Sequence, residues 1–188
     1  GGSAPLRNNI YSVDSKRVIA KKAITLIKNG MFVLTGGGTT IIEMAKALPH
    51  RLNATFISGS IAAISEYMQH PGIEIIVIGD KLSKGSGITI GADALLRIKN
   101  LRADLCFLGI NAMDIRNGIT DNDWDVVQIK KAMIESSAKV VSLTIGEKIN
   151  TCQRIQVCDI SSIDVLITEL PTDSPVLTPY LNKGLTIL

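Results

Sequence analysis

The segment FVLTGGGTTIIEMAKAL, residues 32–48, has the residue types of an anion-binding loop. An apolar run ends in three glycines and two threonines, and apolar residues then resume at helical spacing. Each glycine costs about 0.5–1 kcal/mol relative to alanine in ordered structure, so we expect something to approach this backbone closely. A strand, a glycine loop and a helix in this order direct unpaired N–H groups at one point, which favours phosphate or carboxylate. The alternative is a tight turn in which the glycines only relieve crowding.

The residues around the glycines indicate which kind of anion-binding loop this is. Thr40 and Glu43 fit a capping box, which predicts a helix that starts just after the glycines. No lysine follows the glycines as in a Walker loop, and Ile41 stands where a dinucleotide fingerprint needs its last glycine. The segment therefore does not favour nucleotide hydrolysis. The predicted phosphate-binding residues of the loop are Thr35, Gly36, Gly37, Gly38, Thr39 and Thr40.

The elements that must position this loop alternate along the chain. Short runs of Ile, Val and Leu are separated by amphipathic stretches, and a helix over 15–29 that stops at Gly30 comes first. This alternation predicts a single-domain α/β fold, Rossmann-like, with a mostly parallel sheet and helices on both faces. The predicted strands are 31–35, 54–58, 73–78, 87–90, 104–109, 139–144, 163–168 and 185–188, and the predicted helices are 40–48, 60–69, 91–99, 123–137 and 174–183.

In open α/β sheets, ligands bind beyond the carboxyl ends of the strands. Small or polar residues follow several predicted strands and leave room for a ligand. Lys130 and Lys148 lie where they could neutralise an anion, although an isolated lysine is more often a solvated surface residue. The predicted pocket rim from this pattern comprises Gly59, Ser60, Gly79, Gly91, Gly109 and Asn111.

Composition excludes several other classes of protein. The 188-residue chain carries a formal charge of +3 without clusters of Lys and Arg, so nothing marks a nucleic-acid face. Its longest apolar runs are too short to cross a bilayer, so no membrane partner is expected. His50 and His70 flank prolines, and the three cysteines lack Cys-x-x-Cys spacing, so we predict no metal and no cofactor. We expect a cytoplasmic protein.

Four stretches together resemble the effector-sensing domain of DeoR-type transcriptional regulators. The resemblance extends from about residue 14 to the end, and its specificity comes from the order and spacing of the motifs. Residues 1–13 are predicted to be a linker or tag remnant, and the opening GGS could also match the Gly-Gly-Ala that ends the wing in this family. The stretches are LTGGGTTIIEMAKAL, GIEIIVIGDKL, RADLCFLGINAMD with NGITDND, and QIKKAMIESSAKVVSLTIGEK.

The resemblance carries over to individual positions. The phosphate-wrapping centre of the family's Asp-x-Gly-Thr-Thr-Thr loop is kept, but its Asp and last Thr are Gly36 and Ile41. The family's Gly-Leu-Thr stretch is kept at Gly118–Thr120, and its helix lysine is Lys130. Polar residues of the family are replaced elsewhere, at Gly59, Val126, Ile145 and Gly146, while Lys148 is kept. The resemblance adds Gly118, Thr120 and Asp121 to the predicted rim.

The resemblance implies a function as well as a fold. Such domains are similar in fold to ribose-5-phosphate isomerase, glucosamine-6-phosphate deaminase and CoA transferases. They bind a phosphorylated sugar effector and form homo-oligomers, and they contact DNA through an N-terminal helix-turn-helix. We expect this chain to be such a domain without the helix-turn-helix, and not an enzyme, because Val126 stands where the isomerases have a carboxylate. The alternatives are a sugar-phosphate isomerase or deaminase, and an assembly module that binds no ligand.

Overall fold

The structure, a computed structural model, describes the backbone of residues 3–188 and the side chains of residues 12–188. Its helices are α1 (Ser3–Ile24), α2 (Thr39–Ala47), α3 (Ile61–Tyr67), α4 (Ala92–Lys99), α5 (Trp124–Glu135) and α6 (Thr178–Asn182). Its strands are β1 (Phe32–Thr35), β2 (Ala54–Ser58), β3 (Ile73–Val77), β4 (Lys81–Ser83), β5 (Ile88–Ile90), β6 (Ala103–Gly109), β7 (Ala112–Asp114), β8 (Gly118–Asp121), β9 (Ser137–Leu143), β10 (Ile155–Cys158), β11 (Val165–Ile167) and β12 (Thr186–Ile187).

The centre of the molecule is a seven-stranded sheet in the order β12-β11-β9-β6-β1-β2-β3. Every pair of neighbouring strands in it is parallel. The loop after β1 thus leaves the sheet beside the ends of β2 and β6. The strands consist of near-continuous apolar residues because both faces of the sheet are covered. The predicted α/β class, with a mostly parallel Rossmann-like sheet, is confirmed.

Helices cover the two faces of the sheet, and side chains of β6 alternate between them. Leu105 and Phe107 pack with buried residues of α1, α2 and α3. Cys106 and Leu108 pack on the opposite face with α4, α5 and α6. This alternation follows from the two-residue period of a strand. None of the helices within residues 3–188 combines the length and hydropathy of a membrane span.

Two small antiparallel sheets were not predicted from the sequence. One has the strand order β10-β8-β7, and the other is the hairpin of β4 and β5. Of these strands only β5 was predicted, and it pairs with β4 instead of joining the central sheet. The missed strands are three or four residues long, which is too short for an alternating pattern to stand out.

The first helix differs most from its predicted bounds. It begins at Ser3 instead of residue 15, so most of the segment predicted as linker is helical. No glycine or proline lies between residues 6 and 24, and Pro5 falls in the first turn, where its missing N–H is tolerated. The helix ends at Ile24, before the predicted stop at Gly30, which lies in the following turn with φ of 84°. The hypotheses on Gly1 and Gly2 lie outside the described residues.

Candidate functional site

The glycine loop joins β1 to the N-terminus of α2. Gly38 is the residue before the helix and has φ of 97° and ψ of 167°, a region of backbone conformation that is essentially limited to glycine. The predicted capping box is wrong, because no side chain caps α2 and Thr40 already lies inside its first turn. Glu43 instead lies 3.8 Å from Arg17 of α1 and 3.9 Å from Lys46.

The start of α2 leaves a row of unpaired backbone donors. Gly36 N–H donates to the carbonyl of Phe107 at 3.0 Å, which ties the loop to β6. The next four N–H groups, from Gly37 to Thr40, have no backbone acceptor within residues 3–188 and no side-chain acceptor within residues 12–188. Unpaired N–H groups at a helix N-terminus, with the positive end of the helix dipole, form an arrangement suited to an anion.

Close contacts favour glycine at two positions near this loop. A Cβ atom on Gly109, at the end of β6, would lie 3.2 Å from the carbonyl oxygen of Gly37. A Cβ atom on Gly37 would lie 2.7 Å from Cγ2 of Ile88. The glycines therefore allow the loop to pack against β5 and β6, so relief of crowding accounts for part of the pattern. It does not account for Gly38, whose Cβ would meet nothing within 4 Å.

A cavity of about 170 Å³ lies in front of the loop. Its walls come from the carboxyl ends of the strands and from three helices. Four aliphatic side chains form its apolar part, and the glycine loop and three lysines form its polar part. The lining residues are Lys16, Gly37, Gly38, Thr39, Thr40, Ser86, Ile88, Gly109, Ile110, Asn111, Val126, Lys130, Ile145 and Lys148.

Lys130 on α5 is a buried lysine with a counter-ion. Its Nζ lies 2.8 Å from Oδ2 of Asp121 and 3.4 Å from the carbonyl oxygen of Gly109. Burial alone would raise the pKa of Asp121, but the charge of Lys130 and hydrogen bonds from Lys130, Asn122 and Asn111 outweigh it and hold that pKa below its usual range. Most of the charge of Lys130 is therefore neutralised before any ligand binds.

Two further lysines face the cavity without an ion-pair partner among residues 12–188. Lys148 Nζ contacts only Oδ1 of Asn111, at 3.5 Å, and Lys16 has no polar partner. Partial burial lowers the pKa of Lys148, and the neighbouring charge of Lys16 lowers it further. The sequence did not single out Lys16, because it lies on α1, ahead of the first strand, and only the packing of α1 brings it to the cavity.

Other predicted residues lie nearby but have partners of their own. The hydroxyl of Thr35 is 2.7 Å from the Tyr67 hydroxyl in the protein interior. Thr35 lines a smaller cavity of about 30 Å³ behind the loop, together with Gly36, Gly59 and Ser60. Ser60 caps α3 by accepting a hydrogen bond from the N–H of Ala63. The side chains of Thr35 and Ser60 are thus occupied by contacts within the fold.

The remaining predicted rim residues do not line the cavity in front of the glycine loop. Gly91 precedes α4 with φ of 120°, and a Cβ there would collide with the Asp80 carboxylate that caps this helix. Gly118 has φ of 70° and packs against the carbonyl of Cys158. Thr120 accepts a hydrogen bond from Gln153 N–H, and Gly79 is outside the cavity. Residues 3–188 contain no group of three or more His, Cys, Asp or Glu that could hold a metal ion.

The chain has the α/β fold of known sugar-phosphate isomerases and initiation factors. It is similar to ribose 5-phosphate isomerase A from Methanocaldococcus jannaschii, with a TM-score of 0.52 and 20% identity over 72% of this chain and 53% of that chain. It is also similar to translation initiation factor eIF-2B from Pyrococcus horikoshii OT3, with a TM-score of 0.61 and 16% identity over 87% of this chain and 66% of that chain. At these identities the likeness concerns the fold alone.

A family model described as the DeoR C terminal sensor domain matches residues 12–170. The chain therefore belongs to this family of sensor domains.

Its relatives are named as transcriptional regulators. The HTH-type transcriptional regulator GolR of Listeria innocua is 25% identical over 95% of this chain and 70% of its own length. The glycerol-3-phosphate regulon repressor of Escherichia coli K12 is 28% identical over 84% of this chain and 63% of its own. The transcriptional repressor GlcR of Bacillus subtilis is 27% identical over 83% of this chain and 60% of its own length. The chain spans between 60% and 71% of the lengths of such relatives.

Proposed function

We propose that this domain binds a phosphorylated small molecule in the cavity in front of the glycine loop and acts as the effector sensor of a transcriptional regulator. The observation that carries the proposal is that Gly37–Thr40, whose N–H groups have no backbone acceptor, line one cavity together with Lys16 and Lys148. Helix N-termini and lysines are both suited to phosphate, and here they converge from α1, α2 and the loop after β9.

Charge supports a phosphate over a neutral ligand. Lys130 is neutralised by Asp121, whereas Lys16 and Lys148 are not neutralised by any residue that lines the cavity. A phosphate monoester carries about −1.5 to −2 charges at pH 7, which matches two lysines. No Asp, Glu, His or Cys lines the cavity among residues 12–188.

The side chains of the cavity walls indicate what the ligand looks like beyond its phosphate group. Ile88, Ile110, Val126 and Ile145 offer no hydrogen bonds to hydroxyl groups. Asn111 is the amide at the cavity, and its Nδ2 contacts Asp121 while its Oδ1 contacts Lys148. The hydroxyl residues Thr39, Thr40 and Ser86 also line the cavity, whose volume is about 170 Å³. From this small volume and the four aliphatic walls we infer a short sugar or polyol phosphate. Several relatives are named as repressors of the glycerol-3-phosphate regulon, and glycerol-3-phosphate is a short polyol phosphate of this kind.

The same wall argues against the isomerase or deaminase alternative. Proton transfer between adjacent carbons needs a carboxylate or another base within hydrogen-bond reach of the substrate. Val126 occupies the cavity wall at the start of α5, and the nearby carboxylate of Asp121 is held by Lys130. We propose that the ligand binds and leaves unchanged.

We further propose that the signal passes to a DNA-binding helix-turn-helix and that the domain forms homo-oligomers of two or more copies. Regulators of this kind read paired half-sites, which requires paired recognition helices. Light scattering on the purified chain tests the association, and a monomer at all concentrations would contradict it.

A thermal-shift screen of triose, pentose, hexose and amino-sugar phosphates tests the proposed function. A ligand at 100 times its Kd adds about 2.7 kcal/mol to the free energy of unfolding. For a domain of this size that raises Tm by about 5–10 °C. We expect at least one compound to produce such a shift.

The matched variants are Lys148→Met, in the cavity, and Lys183→Met, on the exposed surface after α6. The first should reduce the ligand-induced shift strongly, whereas the second should leave it unchanged. An equal shift in both variants would place the ligand elsewhere. A complete lack of shifts in the screen would favour the assembly module that binds no ligand.

A further inference from the structure

Lys16 is the residue through which α1 reaches the cavity. It lies on the segment of α1 that packs against the domain, between buried Ser15 and the fully buried Ile19. Its side chain is half-buried and lines the cavity together with Gly38 and Lys148. Among residues 12–24 of α1, the side chain that lines the cavity is that of Lys16.

The attachment of α1 to the rest of the domain is largely apolar at this end. Ile19, Ala20 and Ala23 pack against the apolar face of α2. Arg17 lies 3.8 Å from Glu43, but its side chain is 63% exposed, so this pair adds little. Val13 and Asp14, just before Ser15, are exposed. Lys16 thus lies one turn before the apolar contact that Ile19, Ala20 and Ala23 make with α2, on a part of α1 whose other charged side chains are exposed.

Two like charges face each other across the cavity, one on α1 and one on the rest of the domain. Lys16 on α1 and Lys148 after β9 both face the cavity, and the charge of Lys16 lowers the pKa of Lys148. Glu147 and Asp121 act on Lys148 in the opposite direction, while Lys130 adds to the repulsion. An anion between Lys16 and Lys148 replaces this repulsion with two attractions, one of which acts on α1.

We propose that Lys16 is an anion-binding residue and that an occupied cavity therefore holds α1 more tightly against the domain. This inference rests on the proposed function, because it concerns the same cavity. It identifies α1 as the element whose packing responds to the ligand. This tighter packing of α1 needs no movement of the central sheet, because the new contact forms between the ligand and the turn of α1 that contains Lys16.

Amide hydrogen exchange with inorganic phosphate as the probe tests the inference. The full chain, Lys16→Met and Lys21→Met are compared with and without phosphate at constant ionic strength. Lys21 is exposed on the same helix and lies outside the cavity, so it controls for loss of charge. Phosphate affinity is measured in parallel by thermal shift, and exchange is compared at equal occupancy of each variant.

We expect phosphate to slow exchange in residues 16–24 several-fold in the full chain and in Lys21→Met, with little change in α6. Lys16→Met should bind phosphate about tenfold or more weakly, as expected for one charged hydrogen bond. At equal occupancy it should show no slowing in α1.

Unchanged phosphate affinity in Lys16→Met, or equal slowing of α1 in that variant, would overturn the inference. Phosphate binding to the full chain that leaves α1 unaffected would overturn it too, while the proposed function would stand. Failure of the screened sugar phosphates and of inorganic phosphate to bind the full chain would overturn both.

Discussion

Lys130, which lines the cavity, forms a buried ion pair with Asp121. Both side chains are about one-tenth exposed, so each charge compensates the burial of the other. We expect Asp121→Asn to lower the free energy of unfolding by about 3 kcal/mol, because it leaves the Lys130 charge buried without a counter-ion. Urea unfolding at pH 7 measures this loss.

The pH dependence of the same variant gives a second readout. The folded-state pKa of Asp121 lies below its unfolded value, so the stability it contributes is present above about pH 4 and is lost as pH falls through the lowered folded pKa. The difference between the natural chain and Asp121→Asn should therefore shrink in acid. The matched control is Asp125→Asn on the exposed first turn of α5, which should change stability by less than about 1 kcal/mol. A similar loss in both variants would contradict the role of the pair.

The sequence indicated part of the candidate site at the level of single residues. The loop glycines, Lys130 and Lys148 all follow strand ends or family motifs, and the cavity includes Gly37, Gly38 and both lysines. Lys16 has no such signal, because helix–helix packing decides which face of α1 meets the cavity. Thr35 was named for its type, but its partner Tyr67 lies 32 positions away and could not be inferred from spacing.

At the level of elements, the start of α2 depends on the backbone of one glycine. Gly38→Ala would force a side chain into φ of 97° and ψ of 167°, which costs about 1–3 kcal/mol even though the space around it is open. If the backbone relaxes to avoid this strain, the arrangement of the unpaired N–H groups from Gly37 to Thr40 changes. We expect a loss of stability together with a loss of phosphate binding, measured by urea unfolding and thermal shift.

The control for this variant is Gly85→Ala in the turn between β4 and β5. Gly85 is exposed, has no atom within 4 Å of an added Cβ, and has no left-handed φ. This variant should retain both stability and phosphate binding. Retention of phosphate binding in Gly38→Ala would show that the loop geometry is not required.

Long apolar elements were predictable, and short or capped ones were not. The strand at 54–58, with the sequence ATFIS, was predicted with its observed bounds, because β-forming and apolar residues dominate it and Gly59 follows it. β7, β8 and β10 contain polar residues and form a sheet separate from the central one, and β10 reaches β8 from more than 30 positions away, so it depends on contacts distant in sequence. The capping-box prediction failed because the residue before the helix is Gly38, which has no side chain, and not Thr40.

For the whole molecule, the positive charges that could bind phosphate lie partly in the cavity and not on the outer surface. The net formal charge is +3, and three of the lysines face a cavity that a DNA duplex cannot enter. The exposed surface therefore has few charges in excess with which to neutralise phosphates. Non-specific binding depends on such neutralisation, and its affinity falls with salt in proportion to the number of phosphates contacted.

We therefore expect this chain to bind duplex DNA with a Kd weaker than about 10⁻⁶ M at physiological salt and without sequence preference. A mobility-shift selection from a pool of random duplexes measures both quantities. Repeating it with saturating inorganic phosphate tests whether the cavity lysines contribute, and we expect no change because they do not face the duplex. Enrichment of one sequence, with a Kd in the range of about 10⁻⁸ M or below that is typical of specific binding, would place DNA recognition in the sensor domain itself.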